Sequence, residues 1–208
     1  MRAIIFCLSL LWPGLAFAQD LPEFKYTAEE SVELLISQPK TFKSEWKAYL
    51  NTVPNSVIPS PPRTLSDTTP MCIAQTLYHE ARGETLRGQF AVITVLQNRA
   101  KADRWKDEEC DVIQMKSAIS ALSSQKRFPP FAEKEAWKSV WLLTNLLHGH
   151  TYPGMDRADH YHTTSVSPSW SRKMTLVKKI GVHKFYADPA TSFPVTALPV
   201  ERPSSSNS

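Results

Sequence analysis

The apolar and polar positions are most regularly patterned between residues 71 and 100, MCIAQTLYHEARGETLRGQFAVITVLQNRA. Ile73, Ala74, Leu77, Tyr78 and Ala81 recur at three- and four-residue spacing, which lines up one apolar helical face. Phe90 to Leu96 is apolar on nearly all sides, so a second, buried helix is expected there, ending in the polar group Gln97-Asn98-Arg99. Gly83 predicts the stop between them, because glycine takes the left-handed conformation past a helix end at little steric cost. Upstream, Thr27-Ala28-Glu29-Glu30 has the form of a capping box ahead of Val32, Leu34, Leu35 and Ile36. Phe42, Trp46, Tyr49 and Leu50 predict a second short amphipathic helix. The prolines between residues 54 and 62 exclude helix and favour an extended linker. Downstream, Val112 to Leu122 is compatible with a strand or a short helix, and Phe128-Pro129-Pro130-Phe131 with a turn. Trp137, Val140, Trp141, Leu142, Asn145 and Leu146 predict a helix ended by Gly149, its aromatic stripe facing a core. Residues 160–186 read as short strands and turns. Alternation puts His160 and His162 on one face of the first strand and Tyr161 on the other.

This pattern divides the chain into five parts: a signal peptide at 1–18, a helical N-terminal appendage at 19–52, a Pro-rich linker at 53–65, a main domain at 66–188, and a Pro- and Ser-rich tail at 189–208 expected to be disordered. The first part, MRAIIFCLSLLWPGLAFA, has an early arginine, an apolar run too short for a comfortable membrane span, and small residues around Ala18 for cleavage. An exported, periplasmic or secreted protein is expected. Export changes the meaning of the cysteines. Cys7 would leave with the signal peptide, and Cys72 and Cys110 would then form a disulfide in an oxidising compartment. With 208 residues, 42% apolar, the chain is long enough for one well-packed domain. A net charge of +4 is too balanced to suggest nucleic acid, but suits an anionic, immobile polymer.

The candidate chemistry lies at Glu80. It sits in the last turn of the first helix of the 71–100 segment, where the negative end of the helix dipole disfavours a carboxylate by about 0.3–1 kcal/mol. Burial raises its pKa further, with Arg82 a candidate to pull the other way. A carboxyl kept protonated near neutral pH is what a general acid requires. Glu84, the pair His160 and His162, Tyr161 and His183 are the other polar features of the main domain.

These residues carry a resemblance. YHEARGE followed by GQFAV and QNRA, and later HYHTTSVSPSW and IGVHKFY, resemble the SleB-type cell-wall hydrolases, the spore-cortex-lytic enzyme family, over roughly residues 71–187. The resemblance implies an α+β, mainly helical, lysozyme-like catalytic domain with a small β element, acting on the glycan strands of peptidoglycan without a cofactor, as a monomer. Glu80 matches the family's catalytic acid. Glu84 matches a second motif position, as a second carboxylate, a cap for the next helix, or a partner to Arg82 or Arg87; a structural role is favoured. Gln89, Asn98 and Arg99 fall on motif positions too. Gln89, with Glu84, is a candidate substrate-binding residue; the Asn-Arg pair is expected to hold loops together. Tyr161 and His162 are expected to line the cleft, and Trp170 to stack on a sugar face. The family resemblance favours a lytic transglycosylase, in which one carboxyl acts as acid and then base. A hydrolase with a second carboxylate, Glu84 or Asp159, is the alternative. Many exported members of the family carry a Cys-Gln-Phe-Ser-like segment where this chain has Ser117-Ala118-Ile119-Ser120, so that segment's substrate contacts do not carry over.

Two rivals come from other classes. His79-Glu80 begins a zinc-peptidase H-E-x-x-H pattern, but position 83 is Gly83; His160, His162 and His183 would be the remaining ligand set, for an amidase or peptidase. The other rival is a wall-binding protein without activity. The N-terminal appendage, placed ahead of the Pro-rich linker, suggests a docking or autoinhibitory element.

Overall fold

The computed structural model describes residues 21–104, 109–114 and 130–193. Helix α1 (Ala28–Ser37) starts on the expected capping box: the Thr27 side chain accepts from Glu30 N–H, and the Glu30 carboxylate accepts from Thr27 N–H at 2.8 Å. Helix α2 (Pro39–Thr52) follows at once, with proline in its first turn, where a missing N–H costs nothing. Phe42 and Trp46 point inward and, with Phe24 and Tyr49, form a cluster of edge-on and tilted rings.

Helix α3 (Met71–Ala81) and helix α4 (Leu86–Lys101) are the two helices expected from the 71–100 segment. Every residue from Gly88 to Arg99 is buried, as the all-round apolar pattern requires. The stop between them differs from expectation. Gly83 is not among the glycines with positive φ, and α3 ends on Arg82 in right-handed geometry, followed by a turn in which Glu84 N–H donates to the Ala81 carbonyl at 2.9 Å. The turn needs no left-handed residue because the Arg82 and Glu84 carbonyls are held by the Gln89 side chain instead. Thr85 caps α4, accepting from Gly88 N–H, so the cap considered for Glu84 belongs to its neighbour.

A short helix α5 (Glu109–Gln114) occupies the start of the segment that was ambiguous between strand and helix. The Cys72–Cys110 disulfide ties it to the first turn of α3, with 5.6 Å between the Cα atoms. The rest of that segment, the Ser117–Ser120 stretch and the Phe128-Pro129 turn lie outside the described residues, as do the expected signal peptide and residues 194–208. Helix α6 (Lys134–Leu147) carries the aromatic stripe, and Trp137, Val140, Leu143 and Leu147 are buried. Past its end Gly149 does take positive φ, +88°, and gives its N–H to the buried Gln97 side chain.

Strands β1 (His160–Thr163), β2 (Thr175–Ile180) and β3 (His183–Ala187) make an antiparallel sheet in the order β1-β3-β2. Tyr161 pairs with Phe185 and Thr163 with His183, so Tyr161, His183 and Phe185 share one face. The fold is therefore α+β and mainly helical, with a small sheet. Helices α1 and α2 do not stand apart from it. Trp46 Nε1 donates to Ser139 Oγ at 3.0 Å, the Lys138 ammonium donates to the Val53 carbonyl, and Trp137 Nε1 donates to the Pro59 carbonyl at 2.8 Å. The Pro-rich segment thus runs along α6, and Leu35, Phe42 and Trp46 join the same apolar core as α3 and α4. The tail expected to be disordered from residue 189 packs as far as 193: Thr191 is buried, and the Ser192 carbonyl accepts from Asp103 N–H at 2.9 Å. No helix among the described residues is long and apolar enough to cross a membrane.

Candidate active site

The last turn of α3 is wedged against the loop leading into α6. Tyr78 is buried with its hydroxyl accepting from Glu133 N–H, and Phe131 packs on both Tyr78 and His79. Burial takes the His79 imidazole down to about 4, so the residue preceding Glu80 is neutral at pH 7. Arg82 is turned away from Glu80. It pairs with Glu133 at 2.7 Å and donates to the Tyr78 carbonyl at 3.1 Å. The counter-charge expected from Arg82 comes from Arg99 instead.

Glu80 is half-buried at the C-terminal end of α3. Burial raises its carboxyl above the usual range, and the Arg99 guanidinium partly offsets this. Arg99 is only 4% exposed, on the last turns of buried α4, with Nε donating to the Asp159 carbonyl at 2.6 Å. Asn98 donates to the carbonyls of Met155 and Ala158, and Gln97 to that of His150. The Gln97-Asn98-Arg99 group therefore holds the loop before β1 to the core, as expected of the Asn-Arg pair. In Arg99 that scaffold also sets a positive charge behind Glu80. Tyr161 projects from β1 on the same side; burial and the nearby Glu80 push its phenol upward, so it stays protonated. No described residue hydrogen-bonds the Glu80 carboxyl.

Glu84 is fixed elsewhere. Its Oε2 accepts from Val182 N–H at 3.4 Å, and its Oε1 lies 3.8 Å from His183 Nδ1. Neither Arg82 nor Arg87 is its partner, because Arg87 Nε donates to the Tyr152 hydroxyl. Glu84 thus joins the α3–α4 turn to the β2–β3 turn. There Gly181 has φ +58°, and a Cβ would collide with the Glu84 carboxylate. Gln89 is 4% exposed and braces the α3–α4 turn from within.

The sheet separates the remaining candidates. Tyr161 and His183 are in edge contact, ring centroids 5.3 Å apart, on the face toward the helices. His160, His162 and Tyr186 lie on the opposite face, all against Trp170 at 5.4–5.7 Å. His162 is further held by the Thr163 carbonyl and the Tyr186 hydroxyl. The structure therefore brings Glu80, Tyr161 and Arg99 together, with His183 and Glu84 beyond them, and leaves His162 and Trp170 across the strand. The same division separates His183 from His160 and His162, and no three ligating side chains converge among the described residues. Asp159, the other carboxylate considered, is wholly buried; burial pushes its carboxyl up, but its Oδ1 accepts from Asp188 N–H at 3.0 Å and pairs with His160 Nδ1 at 2.8 Å, and the combined contacts hold it below the usual range.

Arg99 and His183 are the positions that sequence reasoning undervalued. The available signal was a charged residue inside an otherwise apolar helix, and a histidine alternating with Phe185 on one strand face.

Comparison with known proteins gives one family model, described as Cell Wall Hydrolase, matching residues 83–186, half of the 208-residue chain. The match includes Glu84, Gln89, Arg99, Tyr161 and His183, and begins three residues after Glu80. Among solved structures, the chain is similar to the catalytic domain of the Bacillus cereus SleB protein, at 29% identity over 54% of this chain and 84% of that one, with a TM-score of 0.42. It is also similar to the catalytic domain of the germination-specific lytic transglycosylase SleB from Bacillus anthracis, at 29% identity over 54% and 88% of the two chains, with a TM-score of 0.43. No curated protein matches.

Proposed function

The chain belongs to the cell wall hydrolase family and is by that membership an enzyme that cleaves peptidoglycan, and we propose that it acts as a lytic transglycosylase on the glycan strands with Glu80 as its acid and base. The observation that carries this reading is the contrast between the carboxylates. Glu80 is half-buried, raised in pKa and without a hydrogen-bond partner among the described residues, whereas Glu84 is tied to the β2–β3 turn and Asp159 is buried against His160. One available carboxyl suits a reaction that needs only one.

In that reaction the protonated Glu80 gives its proton to the oxygen linking two sugars as the bond from C1 breaks. The resulting carboxylate then takes the proton of the same sugar's 6-hydroxyl, whose oxygen closes on C1 to form a 1,6-anhydro ring. The proton lost in the first step is regained in the second, and no water enters. Arg99 stabilises the carboxylate between the steps without keeping it ionised beforehand. The Tyr161 hydroxyl, protonated throughout, donates to the sugar beside Glu80. His162 and Trp170 support β1 from its outer face, and Gln89 and Glu84 hold the turn that presents Glu80.

The test is mass analysis of peptidoglycan digested by the wild-type chain and by Glu80→Gln. Anhydro-muramyl products from the first and none from the second are expected. Reducing ends one water heavier would make the enzyme a hydrolase and turn attention to Glu84. Released peptides with intact glycans would overturn the glycan-cleaving reading.

A further inference from the structure

A cavity of about 660 Å³ opens between α2 and the α3–α4 turn, with Glu84 but neither Glu80 nor Tyr161 in its lining. Its composition differs from that of the site around Glu80. Lys40, Lys43 and Lys47 stand on the α2 wall and Lys179 on the β2 wall, all four exposed, and Arg87 lies at the start of α4. Among the described residues none of these lysines has an ion-pair partner. The one carboxylate in the lining, Glu84, is already engaged by Val182 N–H and faces His183. Lysines at 40, 43 and 47 repeat at helical spacing, so their ammonium groups share one face of α2. The first turn of α4, with its positive dipole end, adds to the same field.

A second observation concerns the lining beneath. Both Nε2 hydrogens of buried Gln89 are used on the Arg82 and Glu84 carbonyls, which leaves its Oε1 a buried acceptor with no partner among the described residues. That oxygen is closed off from the cavity, so Gln89 acts on the cavity only by fixing the turn that forms its floor. Leu35, Trp46, Leu50 and Ile180 complete the wall with apolar surface. A ligand suited to this cavity therefore carries carboxylates for the lysines and small apolar groups for the wall. That is the chemistry of a short acidic peptide.

We propose that this cavity is a subsite for the carboxylate-bearing peptide stem of peptidoglycan, formed by the N-terminal helices against the turn that carries Glu80 and Glu84. The identity of the ligand rests on the reading of the enzyme as a peptidoglycan glycan cleaver. Helices α1 and α2 lie outside the matched family segment, so the subsite is built half from residues that the family match does not include. It assigns α1 and α2 a substrate-gripping role.

Two measurements test this with the full chain. The first is calorimetric titration with a synthetic stem tetrapeptide, with its fully amidated counterpart as control. Saturable binding is expected, weakened about tenfold in Lys40→Gln/Lys43→Gln/Lys47→Gln, as three exposed charge pairs would contribute. It should weaken with salt and vanish for the amidated peptide. Absence of binding, or equal binding by the triple variant or of the amidated peptide, would overturn the subsite. The second compares kcat/KM on stem-bearing peptidoglycan and on glycan strands stripped of their peptides. The triple variant should lose about tenfold on the first and nothing on the second; an equal loss on both overturns the proposal. If the wild type binds the tetrapeptide but cleaves neither glycan, the subsite stands and only the glycan-cleaving reading fails.

Discussion

Glu80 is placed where folding and catalysis oppose each other. Its carboxyl is held above the usual range by burial, so the folded state binds its proton more tightly than the unfolded chain. Stability from this group is fully present below the unfolded pKa and is lost as pH rises through the folded one. Glu80→Gln removes the buried charge without changing shape. The variant should therefore melt higher than wild type at pH 7, by about 2–4 °C for each kcal/mol gained, and the gain should disappear below the carboxylate range near pH 4. A melting curve at each pH checks this; a lower melting point at pH 7 would show that the Glu80 charge is compensated. The same shift sets the pH dependence of rate. Because the reaction starts from the protonated acid, kcat/KM should fall as pH rises through the Glu80 pKa. Arg99 lowers that pKa, so Arg99→Gln should move the falling limb to higher pH. It should also destabilise the fold by about 1–3 kcal/mol, since the Asp159 carbonyl loses its buried donor.

At the scale of elements, the site depends on two turns held face to face. The α3–α4 turn presents Glu80 and is braced from within by Gln89; Glu84 joins it to the β2–β3 turn, which Gly181 makes possible. Gly181→Ala would be strained in the backbone, by about 1 kcal/mol at least, and would also push the Glu84 carboxylate off Val182 N–H. A lower melting point and a loss of activity larger than that of Glu84→Gln are expected; equal losses would mean that the Glu84 contact alone matters. Much of this level was legible in the sequence. Helical spacing located α3, α4 and α6, the capping box located α1, and the motif glutamates were singled out by position. The partners were not legible, because they come from remote segments: Arg82 pairs with Glu133 and Arg87 with Tyr152, and neither choice follows from spacing. The division of the site by β1 could have been read. Period-two alternation already placed Tyr161 opposite His160 and His162, and grouping Tyr161 with His162 in one cleft set a family expectation above that geometry. Gly83 misled for the opposite reason: glycine permits the left-handed turn but does not impose it, and the Gln89 side chain made another ending available.

At the scale of the whole molecule, the acid lies at one end of α3 and the disulfide at the other. Cys72 is in the first turn and Glu80 in the last, eight residues apart, or about 12 Å along a helix. Cys110 lies 38 residues beyond Cys72, and under the chain-entropy model a crosslink of that span contributes about 4 kcal/mol by restricting the unfolded chain. The bond therefore acts on the unfolded state, while Tyr78, Phe131 and Arg99 set the surroundings of Glu80 at the other end of the helix. Replacing both cysteines by alanine should lower the melting temperature by roughly 8–16 °C in a domain of this size. It should leave kcat/KM at 25 °C within about twofold, because helix α3 is also packed along its length by α4 and α6. The check is a melting curve beside an activity measurement on the same double variant, each repeated on wild type under reductant. A full loss of activity with the melting transition intact would mean that the crosslink positions α3 rather than merely stabilising it. The catalytic end of the helix would then depend on α5.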